Sequence, residues 1–128
     1  MVEVLVCNDP VAKKQLFLEA GIDMKENSLC IRAMCGNECI GYCLFEINQA
    51  VETVFFIHPE NDRLLADGLL RSALHVGTER GVTEAFYGKK VDTKLLEKIN
   101  FLENREEKRL KLQNLFSDCC CSGEKNNM

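Results

Sequence analysis

The chain contains no tryptophan, only two prolines and two histidines, and no apolar run close to the roughly 20 residues of a membrane helix. Scarce proline argues against a low-complexity linker dividing the chain. The first residues, Met1, Val2 and Glu3, do not form a charged and then apolar leader. We therefore expect a cytoplasmic protein that does not enter a membrane.

An excess of basic charge is also missing, since 16 Lys and Arg face 20 Asp and Glu, for a net charge of −4. The basic residues are spread along the chain, which argues against a nucleic-acid partner. This charge favours cationic or neutral ligands. With 46% hydrophobic residues, the 128-residue chain fits one globular domain, which we place at residues 1–117, followed by a polar, cysteine-rich tail at 118–128.

Neither the Walker motif nor GxGxxG is present, so the common nucleotide fingerprints do not apply. The most legible stretch is 54–81, where an apolar strand ends at Pro59 and a helical pattern then runs to Gly81. A helix that begins after a buried strand offers unpaired amides to an anion. This pattern predicts an anion site at residues 61–66, although an ordinary strand and helix with no ligand fits the same residues.

The remaining pattern predicts an α/β domain on a mixed sheet. A first strand at 2–7 is followed by Asn8-Asp9-Pro10, which supplies an N-cap and a proline in the first turn of a helix. This helix should end near Ala20, with Gly21 as its stop. A strand at 82–87 should lie parallel to the strand before Pro59, because a helix connects them. Asp92 should cap a short helix, and the alternation from Leu110 to Phe116 predicts a last strand.

A hairpin is predicted between strands at 29–35 and 38–47, because Gly36-Asn37 is a two-residue turn signal. In a regular hairpin with this turn, the numbers of paired residues sum to 73. Cys30 would then lie opposite Cys43, and Met34 opposite Cys39.

Three sequence segments occur in this order of elements: Ile40-Gly41-Tyr42-Cys43, the strand 54–59 (VFFIHP) and the helix 66–74 (ADGLLRSAL). Together they resemble the GCN5-related N-acetyltransferase (GNAT) superfamily, over residues 29–101. The resemblance implies a GNAT-like mixed, mostly antiparallel central sheet with helices on both faces.

The resemblance also implies acetyl-CoA as the co-substrate and a primary amine of a small molecule or peptide as the acceptor. The backbone of the strand would bind the pantetheine arm at Phe56, Ile57 and His58. The amides that would bind the pyrophosphate are those of Asp62, Arg63, Leu64, Leu65 and Ala66. The sequence leaves the oligomeric state open, and a homodimer is one arrangement that it allows.

The chain departs from the family pattern at three positions. Leu64 stands where the phosphate loop has glycine, and Asn100 replaces a second glycine. Leu96 stands where the family often has the tyrosine that protonates the leaving thiolate. Tyr87, at the end of the preceding predicted strand, is the tyrosine that could substitute, although a strand-end aromatic is also an ordinary structural residue.

Acyl transfer to an amine also needs a route for the amine proton, and a general base typically contributes about 10²–10⁴-fold. Glu52, early in the central strand, and His58, at its end, are the candidate proton acceptors. Each also fits the simpler interpretation of a solvated charge or a turn residue.

The eight cysteines are expected to be thiols, given the cytoplasmic location. Cys119, Cys120 and Cys121 form a cluster in the tail but lack the spacing of a zinc knuckle, so no metal site is predicted. Two hypotheses follow. The first is an acyl-CoA-dependent N-acetyltransferase, and the second is a catalytically silent GNAT-like binding or regulatory module whose tail thiols respond to oxidants or metals.

Overall fold

A computed structural model describes residues 2–112, in which one seven-stranded sheet carries helices on both faces. The strands are β1 (Val2–Val6), β2 (Ser28–Cys35), β3 (Glu38–Asn48), β4 (Val51–His58), β5 (Glu84–Tyr87), β6 (Leu102–Asn104) and β7 (Arg109–Leu110). The helices are α1 (Pro10–Ala20), α2 (Arg63–Glu79) and α3 (Thr93–Lys98). The sheet order is β1-β2-β3-β4-β5-β7-β6, and of its described pairs only β4 and β5 are parallel. The predicted mixed, mostly antiparallel sheet is confirmed.

The helix ends follow local sequence signals. Asp9 caps α1 by accepting a hydrogen bond from the Val11 amide at 3.0 Å, and Gly21 ends the helix with a φ of 71°. Asp92 caps α3 in the same way, and Gly81 follows α2 with a φ of 89°. These starts and stops agree with the sequence predictions.

The β2–β3 hairpin has the predicted turn but only part of the predicted register. Met34 pairs with Cys39 as expected. A β-bulge at Ala33 and Met34 then shifts the pairing by one residue, so Cys30 lies opposite Leu44 and not opposite Cys43. The prediction that Cys30 faces Cys43 is therefore wrong, and these two side chains join the cores on opposite faces of the sheet.

The end of the described chain also differs from the prediction. The expected strand from Leu110 begins one residue earlier and ends at Leu110, where β7 pairs with the unpredicted β6. β6 has only three residues with no apolar alternation, so its sequence carries little strand signal. Phe116 and the 118–128 tail lie outside the described residues.

Each face of the sheet has its own core. α2 and α3 cover one face, with Leu69, Leu70 and Leu96 fully buried. α1 covers the other face, where Phe17 packs with Tyr42 and half-buried residues of β4. Among the described helices, none is long and apolar enough to cross a membrane.

Candidate functional site

The parallel strands β4 and β5 separate in the middle of β4. They pair from Val51 with Glu84 to Val54 with Tyr87, and the Gly88 amide then donates to the Val54 carbonyl at 2.8 Å. β5 ends there, whereas β4 continues through residues 55–58 and pairs only with β3 among the strands of the described part. Residues 55–58 therefore present backbone polar groups along an open edge.

A β-bulge lies at the point of separation. Leu44 pairs with Phe56 and Phe45 with Val54, so Phe55 is an extra residue in β4. A bulge bends its strand and changes the direction of the following side chains. The bulge and the end of β5 together define the opening between the two strands.

The three residues predicted to bind the pantetheine arm form the open part of β4. Ile57 is buried and Phe56 half-buried, whereas His58 is exposed and its ring lies 5.3 Å from that of Tyr42. Gly41 permits the close approach of the β4 backbone at its end, because a Cβ there would lie only 2.8 Å from the His58 carbonyl oxygen. The structure therefore brings Phe56, Ile57 and His58 to one edge.

The five predicted phosphate-binding residues form the start of α2. Asp62 is the N-cap, and its carboxylate accepts a hydrogen bond from the Leu65 amide at 3.2 Å. The Ala66 amide donates to the Asp62 carbonyl at 2.9 Å. The amides of Arg63 and Leu64 are thus the first-turn donors left for an anion. The Leu64 side chain is 87% exposed and does not fill this space.

Glu52 and His58 lie at opposite ends of β4. They are six positions apart, which corresponds to roughly 20 Å along a strand. The Glu52 carboxyl is fully buried below α2, and within residues 2–112 neither oxygen has a hydrogen-bond partner. Burial raises its pKa to about 8, opposed by a smaller effect of Arg80. The structure does not bring these two candidate bases together.

Tyr87 is the last residue of β5 and lies beside the opening. Its side chain is 5% exposed and belongs to the core that also holds Leu96, a fully buried residue of α3. The phenol therefore lies in the same core as the position where the family often has its tyrosine. Asn100 has a φ of 65°, a left-handed conformation in which Asn is the residue that best replaces glycine.

Sequence analysis missed a cleft beside the opening. It has a volume of about 340 Å³ and is lined by Gly21, Ile22, Asp23, Lys25, Phe55, Gly88, Lys89 and Lys90. These residues come from the connection after α1, the bulge in β4 and the loop after β5. No local motif marks the cleft, because it forms only when three distant segments meet.

The sequence matches no protein-family model and no curated protein sequence. Solved structures of similar fold include an aminoglycoside N-acetyltransferase in complex with CoA, at a TM-score of 0.58 and 17% identity, covering 82% of this chain and 90% of that one. A ribosomal-protein-alanine N-acetyltransferase from Brucella melitensis biovar Abortus 2308 has a TM-score of 0.56 and 14% identity, covering 77% and 90%. A GNAT-family acetyltransferase from Streptococcus pneumoniae TIGR4 has a TM-score of 0.56 and 12% identity, covering 78% and 84%. This chain therefore has the fold of the GCN5-related N-acetyltransferase superfamily.

Proposed function

We propose that this protein is an acyl-CoA-dependent N-acetyltransferase that transfers the acetyl group of acetyl-CoA to a primary amine of a small molecule or peptide. The observation that carries the proposal is the opening between β4 and β5 after Val54, with the start of α2 at one end and a cleft beside it. A thioester arm in this opening would meet the free backbone groups of residues 55–58. The solved neighbour with CoA supports this co-substrate.

The reaction needs few side chains. The neutral amine nitrogen attacks the thioester carbonyl carbon, the C–S bond breaks, and the products are an amide and CoA. A proton leaves the amine nitrogen, and one proton is taken up by the departing thiolate. Backbone amides at the open edge of β4 are suited to stabilise the negative charge on the carbonyl oxygen.

We assign the thiolate's proton donor to Tyr87, because its buried ring lies at the last β4–β5 pair before the opening. Glu52 and His58 stay as the proposed proton acceptors, and Glu52 can accept a proton only in its ionised form, above about pH 8. A comparison of Glu52→Gln and His58→Ala separates the two, since only loss of the true acceptor lowers kcat at unchanged acetyl-CoA affinity.

The alternative of a catalytically silent module was suggested by Leu64 and Leu96, which replace the glycine and the tyrosine of the family pattern. The Leu64 side chain points into solvent, and Tyr87 lies in the core that contains Leu96. Neither substitution blocks the opening, so no observation on the described residues favours the silent module.

The test uses Gly88, which lines the opening. A Cβ at this position would make ordinary contacts of 3.7 Å with Phe55 and Val54, so alanine fits but a larger side chain projects into the space. We expect wild type and Gly88→Ala to acetylate members of an amine panel, detected by mass spectrometry. Gly88→Leu should lose at least about tenfold in kcat/KM. Equal rates in all three proteins, or no product from any amine, would contradict the proposal.

A further inference from the structure

The cleft beside the opening carries a charge opposite to that of the whole chain. Three lysines line it, Lys25, Lys89 and Lys90, against the single carboxylate of Asp23. The complete chain has a net charge of −4. The cleft is therefore a local basic site on an acidic protein, which the net charge of the chain does not reveal.

One of the lysines is held in place by the fold. The Lys90 ammonium donates a hydrogen bond to the Ala20 carbonyl at 2.8 Å, at the C-terminal end of α1, where a positive charge is favourable. This contact ties the loop after β5 to the end of α1 and so fixes two walls of the cleft. Lys25 and Lys89 are exposed and can reach a ligand.

The wall between these charges is apolar. Phe55, the bulged residue of β4, and Ile22 both line the cleft and are half-buried. A ligand that fits this surface has a short carbon chain and an anionic end. Gly88 also lines the cleft and marks where it meets the β4–β5 opening.

We propose that the acceptor is an amine that also carries a carboxylate or another anionic group, an inference that rests on the proposed function. Its anion lies among Lys25, Lys89 and Lys90, its carbon chain lies on Phe55, and its amine points to the opening at Gly88. The lysines also disfavour the protonated amine, which raises the fraction of the neutral nucleophile. Repulsion from the lysines disfavours acceptors with several positive charges.

The experiment compares two amines that differ only in the charge of the distant group, 4-aminobutanoate and 4-aminobutanamide. Both are titrated into the reduced protein with CoA present, and backbone NMR shifts of Phe55, Gly88 and Lys89 report binding. Turnover with acetyl-CoA is measured in parallel at equal concentrations of neutral amine. We expect at least about fivefold tighter binding and higher kcat/KM for the carboxylate, the scale of two exposed ion pairs.

Variants assign the effect to the cleft. Lys25→Gln and Lys89→Gln should each reduce the preference for the carboxylate over the carboxamide. In the double variant, the ratio of the two affinities and the ratio of the two kcat/KM values should be close to one. The control is Lys98→Gln, since Lys98 is an exposed lysine on α3 outside the cleft. This variant should leave the preference for the carboxylate unchanged. Lys90 is left intact because it supports α1.

The outcomes separate this inference from the proposed function. Selective binding of the carboxylate without turnover would support the basic cleft and contradict the transferase. Turnover of the carboxamide at an equal or higher rate would support the transferase and overturn the inference. If neither selective binding nor turnover were observed, the inference of an anionic acceptor and the proposed transferase function would both be overturned.

Discussion

Glu52 is a single residue whose surroundings change its chemistry. Its carboxyl lies beside Gly77 of α2, so closely that even a Cβ on that glycine would collide with it. Without a hydrogen-bond partner among the described residues, the charged form is poorly solvated, and the pKa rises to about 8. Glu52 is therefore a neutral acid in the folded protein at pH 7. The sequence could not show this, because burial depends on the helix that packs on the strand.

Glu52 makes stability depend on pH. Since its pKa is higher in the folded than in the unfolded chain, the folded state binds the extra proton between about pH 4.5 and 8. The free energy of unfolding should fall as the pH rises through this range, by several kcal/mol in total. Urea unfolding of the reduced protein at several pH values measures this slope.

Glu52→Gln should remove most of that pH dependence, because the amide does not titrate. Glu60→Gln, an exposed residue between β4 and α2, is the matched control and should keep the wild-type slope. If the free energy of unfolding had the same pH dependence in wild type and Glu52→Gln, Glu52 would have the same pKa in the folded and unfolded states, and the prediction would be contradicted.

Tyr87 is the second residue on which the account depends. Tyr87→Phe should lower kcat by about 10²-fold, because the thiolate loses its proton donor, with the Kd for acetyl-CoA unchanged within about twofold. The control is Tyr42→Phe, which should leave kcat unchanged. Tyr42 is a buried tyrosine on the opposite face of the sheet. A similar loss in both variants would indicate a structural role for Tyr87.

At the scale of the element, the start of α2 combines a cap with the proposed phosphate site. Asp62 stabilises the helix through the Leu65 amide but places a negative charge where a pyrophosphate would bind. Asp62→Asn keeps the cap, since Asn and Asp are nearly equal N-caps, and removes the repulsion. We expect this variant to bind CoA several-fold more tightly by calorimetry.

Asp9→Asn, at the cap of α1, is the matched control for Asp62→Asn and should leave CoA affinity unchanged. Unchanged or weaker CoA binding in Asp62→Asn would place the phosphates away from the start of α2. Thermal unfolding of both variants checks that each cap is retained.

The turn after α3 offers a test of local backbone conformation. Asn100 has a left-handed φ of 65°, so Asn100→Ala should destabilise the protein by about 1 kcal/mol, whereas Asn100→Gly should not. Lys111→Ala is the control, because the Lys111 ammonium donates to the Asn100 side chain at 3.0 Å. Equal losses for Asn100→Ala and Asn100→Gly would assign the effect to side-chain contacts.

The elements differ in how far the sequence predicted them. Helix ends at Asp9, Gly21 and Gly81 were predictable because caps and stops act within a few residues. The two β-bulges were not, since register depends on the partner strand and on the helices that cover the sheet. The same limit hid the pairing of Cys30 with Leu44.

In the whole molecule, the order of strands and helices predicted an α/β domain on a mixed sheet, and the three segments that carry the resemblance predicted its GNAT-like arrangement. The resemblance placed its proposed ligand-binding residues on one strand and at the start of the following helix, and the structure brings them to the open edge of β4 and the start of α2. The cleft and the burial of Glu52 were not predicted, because they depend on how distant segments assemble. Net charge did not reveal the basic cleft, since the charges that line the cleft differ in sign from the net charge of the chain.

Calorimetric titration of the reduced protein with acetyl-CoA, and separately with CoA, tests directly whether a thioester binds between β4 and β5. We predict one site with a Kd in the micromolar range, retained in Gly88→Ala and lost in Gly88→Leu. Absence of binding at about 1 mM ligand, or binding that is equal in both variants, would contradict a thioester site between β4 and β5.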